Sequence, residues 1–476
     1  MKQTHKQWAA LAGLAAAVAG GTTAHAQSAD ALIDKLVDKG ILTPSEAKDL
    51  REEVDKDFTR SYQAKSGMPD WVTSLRFNGD LRGRLENFNA EGDDNDIFKD
   101  RTRFRYRARF GATATMFDGF EAGLRLGSSD PASGGGIGGD PISGNTTFQD
   151  NGSRKFIYVD LAYGKWTMLN NDAVLGALSV GKILNPFVVS DMIIDPDYNP
   201  EGIAGQFAFH ISDAHDLKLN LGAFALDEIG ADSDDPYMAG AQIRFDSKWS
   251  PHLLTSVGVG MLGLANEEAL GGSRTTTRTL PLTGTNPVNT AVTTWTVPNQ
   301  NGGNTRTGFP ANGAGGDLLY DFNPIFADAS ITYNLDKFFM YNALFPITLA
   351  GDVMYNPAAP NEAGNKAFSA GITFGKAGKK GLWEIGYRYK YLGANSWWEE
   401  VVDSDFGAFY QTAPPGGAAG YVAGTNVRGH IISAGYSPAD AFTFNVKYFL
   451  TQLIRENPAD SNSDMGRLQV DANWKF

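Results

Sequence analysis

Residues 101–110 read RTRFRYRARF, with Arg101, Arg103, Arg105, Arg107 and Arg109 at alternate positions. Between them stand Thr102, Phe104, Tyr106, Ala108 and Phe110. A guanidinium group stays charged at physiological pH and offers a planar fork of donors that fits carboxylate or phosphate. A row of such groups beside water lowers the entry barrier for anions and repels cations. Arg76, Arg82, Arg84 and Arg125 fall on the corresponding face of flanking segments and complete a set of candidate pore-lining bases. Like charges this close must be offset, and Asp80, Glu86 and Glu121 share the same inferred faces. Two outcomes are open: an anion-preferring wall, or a wall stiffened by ion pairs with little net selectivity.

A second set of residues lies at 185–202. Asp191, Asp195, Asp197, Asn199 and Glu201 occur there beside Phe187, Met192, Ile193, Ile194 and Tyr198. A solvated loop has no need of that apolar cluster, so the stretch is a candidate constriction loop. Its acids, facing the arginines, would set up a transverse field. The alternative is a loop packed at a rim or a subunit interface. Asp195-x-Asp197-x-Asn199 has the opening spacing of a calcium loop, but Pro200 stands where that loop needs Gly, and Gln206 where it needs a bidentate Glu. No metal or other cofactor is expected. Catalysis finds little support either. His5, His25, His210, His215, His252 and His430 show no zinc-type spacing, and there is no G-x-S-x-G elbow.

The elements that position these residues must be strands. Period two sends successive side chains to opposite faces of a strand, whereas a helix would spread the arginines around its circumference. Leu75, Phe77, Gly79, Leu81, Gly83 and Leu85 alternate in the same way with Arg76, Asn78, Asp80, Arg82, Arg84 and Glu86. Sixteen strands can be placed, near 73–88, 101–116, 120–128, 154–166, 174–183, 204–212, 217–226, 237–249, 253–264, 325–335, 344–355, 366–376, 382–392, 428–437, 442–454 and 464–476. Short connections, such as 117–119 and 250–252, alternate with long ones at 129–153, 184–203, 265–324 and 393–427. That rhythm, with an even strand count, suits an all-β transmembrane barrel of about 16 antiparallel strands, both chain ends lying on the short-turn side. The mean hydropathy of -0.27 is compatible with this, because only alternate residues of such strands face lipid. Outward aromatic residues such as Trp249, Trp383, Trp474 and Phe476 suit interfacial girdles. Trp397 and Trp398 suit either a girdle or a loop contact with solute.

The N-terminus has the pattern of a secretory signal: Lys2 and Lys6, an apolar stretch from Trp8 to Gly20, and Ala24-His25-Ala26 as a cleavage site. Residues 1–26 are therefore expected to be removed, and with two lysines and no acid lost the formal charge passes from -13 to -15. So acidic a chain is a poor partner for nucleic acid. There is no Cys, which excludes disulfides and thiolate metal sites. Residues 27–66 read as a short periplasmic helical segment. Leu32, Ile33, Leu36, Val37 and Ile41 are helically spaced, and Thr43-Pro44-Ser45-Glu46 begins a second helix with a capping pattern. This segment is a spacer, or an arm that tethers the barrel to other envelope components; in the second case the barrel, residues 67–476, serves mainly as an anchor.

Three stretches resemble the bacterial "putative porin" family. They are Gly79-Asp80-Leu81-Arg82 with Asp100-Arg101-Thr102-Arg103; Gly123-Leu124-Arg125-Leu126-Gly127 with Ser129-Asp130-Pro131; and Gly181-Lys182-Ile183-Leu184-Asn185-Pro186-Phe187 followed by residues 195–202. The resemblance spans the barrel and implies an outer-membrane diffusion channel, with the solute left open. The last strand, ending Trp474-Lys475-Phe476, resembles the assembly signal read by the barrel insertion machinery. The expected partners are outer-membrane lipids, that machinery, small hydrophilic solutes including anions, and two further copies in a homo-trimer.

Overall fold

The computed structural model describes residues 47, 68–90, 100–132, 138–228, 234–270, 273–279, 289–296, 301–307, 316–412, 419–456 and 462–476. The expected signal (1–26) and helical segment (27–66) lie outside the described residues, Ala47 apart. Among the described residues no helix is long and apolar enough to cross a membrane. The chain divides into two units, residues 1–75 with 114–117, and residues 76–113 with 118–476. In the first, Phe117 donates its amide to the Trp71 carbonyl at 3.2 Å, and the Thr73 hydroxyl donates to the Thr115 carbonyl at 3.0 Å.

Sixteen long strands carry the fold: β1 (Val72–Ala90), β2 (Arg101–Met116), β3 (Phe120–Ser128), β4 (Ile157–Asn170), β5 (Val174–Lys182), β6 (Glu201–Ser212), β7 (His215–Ala225), β8 (Tyr237–Lys248), β9 (Leu253–Ala265), β10 (Ile325–Leu335), β11 (Phe345–Tyr355), β12 (Lys366–Gly375), β13 (Trp383–Leu392), β14 (Val427–Ala439), β15 (Phe442–Leu453) and β16 (Met465–Lys475). Each pairs with the next, and β16 returns to β1 in antiparallel register from Asp80↔Lys475 to Ala90↔Met465. The sheet is thus a closed antiparallel barrel without a free edge, which is how such a structure satisfies every backbone donor.

The expected strands are found with small shifts that have local causes. β4 runs on to Asn170 because a bulge between Thr167 and Leu169 lets it keep pairing with Gly176 and Leu175. β6 begins at Glu201, which pairs with both Lys182 and Ala225. Short connections and long ones lie at opposite ends. The β2–β3 turn needs only Phe117–Gly119, with Asp118 at φ 59° and Gly119 at φ 78°.

The two faces of the wall differ as the alternation requires. Phe77 (62% exposed), Phe104, Phe110, Leu124, Ile243, Val257, Val259 and Val353 are exposed on the outside. Arg84, Glu86, Arg105, Arg244, Asp352, Lys390, Arg467 and Asp471 are buried on the inside. A soluble barrel would show the reverse. The apolar core also lies inside the ring, and is built largely by the long connections. Ile183, Phe187, Met192, Ile193 and Ile194 from residues 183–200 pack with Trp397, Trp398, Val401, Val402 and Phe406 from residues 393–426. Inner-wall residues Phe224, Met238, Leu262, Phe326 and Phe449 complete the cluster.

Candidate functional site

The arginines of β1 to β3 face inward, and most of them meet carboxylates. Arg84 donates to Asp471 at 2.7 Å and to Asp405 at 2.9 Å. Arg103 pairs with Glu86, and its guanidinium lies 5.1 Å from the Phe88 ring centre. Arg105 reaches Asp130 at 3.3 Å and the Asn145 carbonyl at 3.1 Å. Arg107 and Arg109 share two acids, Asp80 at 3.0 and 2.7 Å and Asp197 at 2.9 and 3.3 Å. Arg125 meets Asp160 at 2.5 Å. Three bases are different. Arg82 donates to the Asn145 side-chain oxygen at 2.6 Å and, like the exposed Arg76 and Arg101, makes no ion pair among the described residues. Glu121, grouped with the offsetting acids on sequence, accepts instead from the Tyr163 hydroxyl at 2.8 Å.

Loop 183–200 supplies the acids because it is held from both sides. At its base the Ile183 amide donates to the Pro200 carbonyl at 2.9 Å. Gly181, at φ 113°, has the Ala162 carbonyl where a Cβ would stand, so only glycine fits this bend. Gln242 and Arg244 of β8 donate to the Val188 carbonyl at 2.7 and 3.0 Å, and the Ser190 hydroxyl donates to Asp352 of β11 at 2.8 Å. Asp191 accepts from Arg388 and Lys390 of β13 at 2.5 and 3.0 Å. Asp197, six residues on, is at β2. The loop therefore runs between β8, β13 and β2 inside the ring. Asn199 donates to Asp160, and Glu201 accepts from Lys182 at 2.9 Å.

A second loop, residues 393–426, joins it. The Asp195 amide donates to the Val401 carbonyl at 2.7 Å, and the Asp403 amide donates to the Asp191 carbonyl at 3.1 Å. Asp195 accepts from the Ser404 amide at 2.8 Å through one oxygen and from its own loop's Asp197 amide through the other. Asp403 accepts from Lys390 at 2.6 Å, and Asp405 from Arg84 and Arg467. Trp397 and Trp398 are buried in the shared apolar cluster, so they are neither an outward girdle nor open to solute.

Electrostatics divides these loop acids. Burial, with Asp403 and Asp197 close by, pushes the Asp195 carboxyl well above the usual carboxylate range. Burial would raise Asp197 too, but Arg107, Arg82 and Arg109 hold it below its ordinary value. Burial likewise opposes ionisation of Asp405, and Arg84, Arg467 and Arg82 overcome it, holding the group well below the usual range. The acids with the calcium-loop spacing thus diverge, Asp195 toward backbone amides and Asp197 toward arginines. Among the described residues no cluster of three His, Asp or Glu is placed to hold a metal ion.

Three open chambers follow the arginine strand. The outer one, about 480 Å³, is lined by Arg101, Arg103 and Arg105 on β2 and by Asp140, Glu399 and Glu400 on long loops. The middle one, about 430 Å³, includes Arg109, Asp160, Lys182, Asp197 and Tyr198. The third, about 540 Å³, holds Asp80, Arg107, Arg109 and Arg125, and borders the short β12–β13 turn at Ala377 and Gly378. Asp140 and Pro141 border the first two chambers, and Arg109 borders the last two. Of the sequence-predicted residues, Arg107, Arg109 and Asp197 come together, Arg103 lines the outer chamber beside Glu86, and Asp191 and Asp195 serve to join the loops. Sequence reasoning missed Asp403, Asp405 and Arg467. The signal was present: Trp397, Trp398, Val401, Val402 and Phe406 among acids repeat the apolar-with-acidic composition of 185–202. Trp474 and Phe476 close the seam, where Gly79 and Phe476 exchange backbone hydrogen bonds at 2.8 and 3.1 Å.

Comparison with known proteins adds a family match. The model of the "Putative porin" family matches residues 94–313. No curated protein sequence matches the chain. Among solved structures, the chain is similar to OprB of Pseudomonas putida at 11% identity, covering 89% of this chain and 97% of that one, with a TM-score of 0.47. It is similar to OmpT of Vibrio cholerae at 12% identity, covering 84% and 97%, with a TM-score of 0.40. A triple mutant of the Rhodopseudomonas blastica porin follows at 8% identity, covering 85% and 100%, with a TM-score of 0.39. The architecture described above rests on the strand pairing itself.

Proposed function

We propose, starting from a chain whose residues 94–313 match the "Putative porin" family, that it is an outer-membrane channel for passive diffusion of small hydrophilic solutes. The observation that carries this reading is the succession of three open chambers beside the arginine strand inside a closed ring, from the long-loop end to the short-turn end. The solute route then follows the arginine strand and lies to one side of the ring. Its narrow point is at Asp197 between Arg107 and Arg109, where loop 183–200 acts as the constriction. An aqueous lumen narrowed this way sorts solutes by size and by the field of its wall.

The channel has a modest preference for anions. Arg82 and Arg101 support this reading, because neither forms an ion pair among the described residues. The paired arginines contribute little net field. Residues 1–26 act as the export signal, and 27–66 stand in the periplasm. Trp474 and Phe476 present the assembly signal, and the lipid-exposed barrel associates as a trimer.

Single-channel recording in a planar bilayer across a KCl gradient tests the reading. We expect a steady open conductance with a reversal potential favouring chloride, and R82Q with R101Q should move that potential toward zero. A cation-favouring potential would mean that the loop acids dominate the field. Folded protein without conductance would overturn the channel and favour a tethering role for residues 27–66.

A further inference from the structure

In the outer chamber the charge matching of the inner wall is incomplete on both sides. Arg84, Arg107, Arg109, Arg125, Arg244, Arg388, Lys390 and Arg467 all reach carboxylates. In the outer chamber Arg101 joins no ion pair among the described residues. Among the described residues Arg103 spends only its Nε, on Glu86, and Arg105 reaches Asp130 and the Asn145 carbonyl through Nη2 while its buried Nε has no acceptor. On the facing loop Glu400 lines the same chamber, and its two carboxylate oxygens are shielded from solvent with no hydrogen-bond partner. Its neighbour Glu399 is satisfied, accepting from Arg306 at 2.5 Å and from the Asn304 amide. Asp140, the third acid of the chamber, accepts from the Ile142 amide and makes no ion pair among the described residues.

Buried polar groups in folded proteins are almost always partnered, and a lone buried carboxyl is costly. Arg101, unpaired among the described residues, and the Glu400 carboxyl could have neutralised each other, as such groups do elsewhere on this wall. They are instead held apart across a space of about 480 Å³, within the range of small-ligand sites. An anionic ligand would satisfy the arginines and leave Glu400 alone. A cationic ligand would do the opposite. A neutral sugar would neutralise neither.

We propose that the outer chamber is a binding site for small amphoteric solutes of the amino-acid and dipeptide class. The solute's ammonium group faces Glu400 and its carboxylate faces Arg101 and Arg103. Tyr421, half-buried and also lining the chamber, offers apolar surface to the carbon skeleton. This inference relies on the channel reading for access to the chamber, and it sharpens that reading by naming what is held on the way through.

The test is titration calorimetry on the detergent-folded full chain with three probes. Alanyl-alanine carries both charges, N-acetyl-alanyl-alanine only the carboxylate, and alanyl-alanine amide only the ammonium. Removing either charged end of the solute should weaken binding about tenfold, so both single-charge probes should bind about tenfold less tightly than the dipeptide. E400Q, with its fold checked by far-UV circular dichroism, should bring the dipeptide to the level of the acetylated probe. R101Q should bring it to the level of the amide. Equal binding of the three probes, dipeptide binding unmoved by E400Q, or no binding at all would overturn the proposal. Bilayer recording on the same preparation separates it from the channel reading. Conductance without dipeptide binding overturns the site alone, and dipeptide binding without conductance overturns the channel alone.

Discussion

The two halves of the barrel interior are built on opposite principles. Along β1 to β3 the inner wall is charged, its arginines meet acids from three different loops, and open chambers remain beside them. Along β7 to β11, and again at β15, the wall presents Phe224, Met238, Leu262, Phe326, Met354 and Phe449, and the loops fill the space with side chains. Met192 and Ile193 there are 0% exposed. The same loop serves both halves. Its apolar residues fasten it on one side, and Asp197, a few residues later, presents charge on the other. Apolar burial is non-directional and supplies most of the fastening energy. Ion pairs supply register, because a carboxylate between two guanidinium groups has little freedom to shift.

If the apolar half does the fastening, the largest effect should come from placing charge there. I193D should cost about 4 kcal/mol and release the loop, raising single-channel conductance and the hydrogen exchange of the 187–198 amides. Unchanged exchange would show that the polar half alone suffices. D405A should cost less, about 2 kcal/mol in urea unfolding, since Arg84 keeps Asp471 and Arg467 keeps Glu86. A greater rise in conductance from D405A than from I193D would reverse the ranking of the two halves.

Titration should separate them further. Asp197 and Asp405 have folded pKa values below the ordinary 3.8, so their stabilisation is present above 3.8 and is lost as pH falls through the folded values. Asp195 is shifted the other way, so its ionisation burdens the folded state at neutral pH, and that burden eases on acidification. Amide exchange in residues 183–200 should therefore hold steady or slow from neutral to mildly acidic pH, after allowance for the intrinsic rate, and speed up only below about 3.8. Acceleration already near pH 6 would contradict the assignment. The smallest effect is expected from W397F, about 1 kcal/mol, because the indole Nε1 has no acceptor to lose and only volume changes. Conductance should stay the same.

Periodicity made the wall legible. Alternation in residues 75–86 and 101–110 identified the faces of β1 and β2, and the short-long rhythm of connections ordered the ring. The apolar cluster in 185–202 marked that loop as something other than a solvated connection. The ion pairs could not be read in this way, since Arg84 and Asp405 are 321 positions apart and no local pattern links them. Arg101 to Arg109 look alike in sequence, yet Arg107 is clamped by two acids while Arg101 makes no ion pair among the described residues. The difference comes from which loop returns to each level of the strand. Residues 146–147 pair with Arg105 and Tyr106 beyond the end of β3, which delivers Asp130 and Asn145 to Arg105.

The anchoring of loop 183–200 also constrains the order of assembly. Its partners Arg388 and Lys390 lie about 200 positions later in the chain, as do Val401 and Asp403 of the loop that grips it. Contacts of such long range form late, because the intervening chain must be ordered first. A nascent barrel that has completed β5 must therefore leave this segment unseated until β13 and its following loop arrive. During insertion the ring would be wide before it is narrow, and the aperture would be throttled only once those later contacts form.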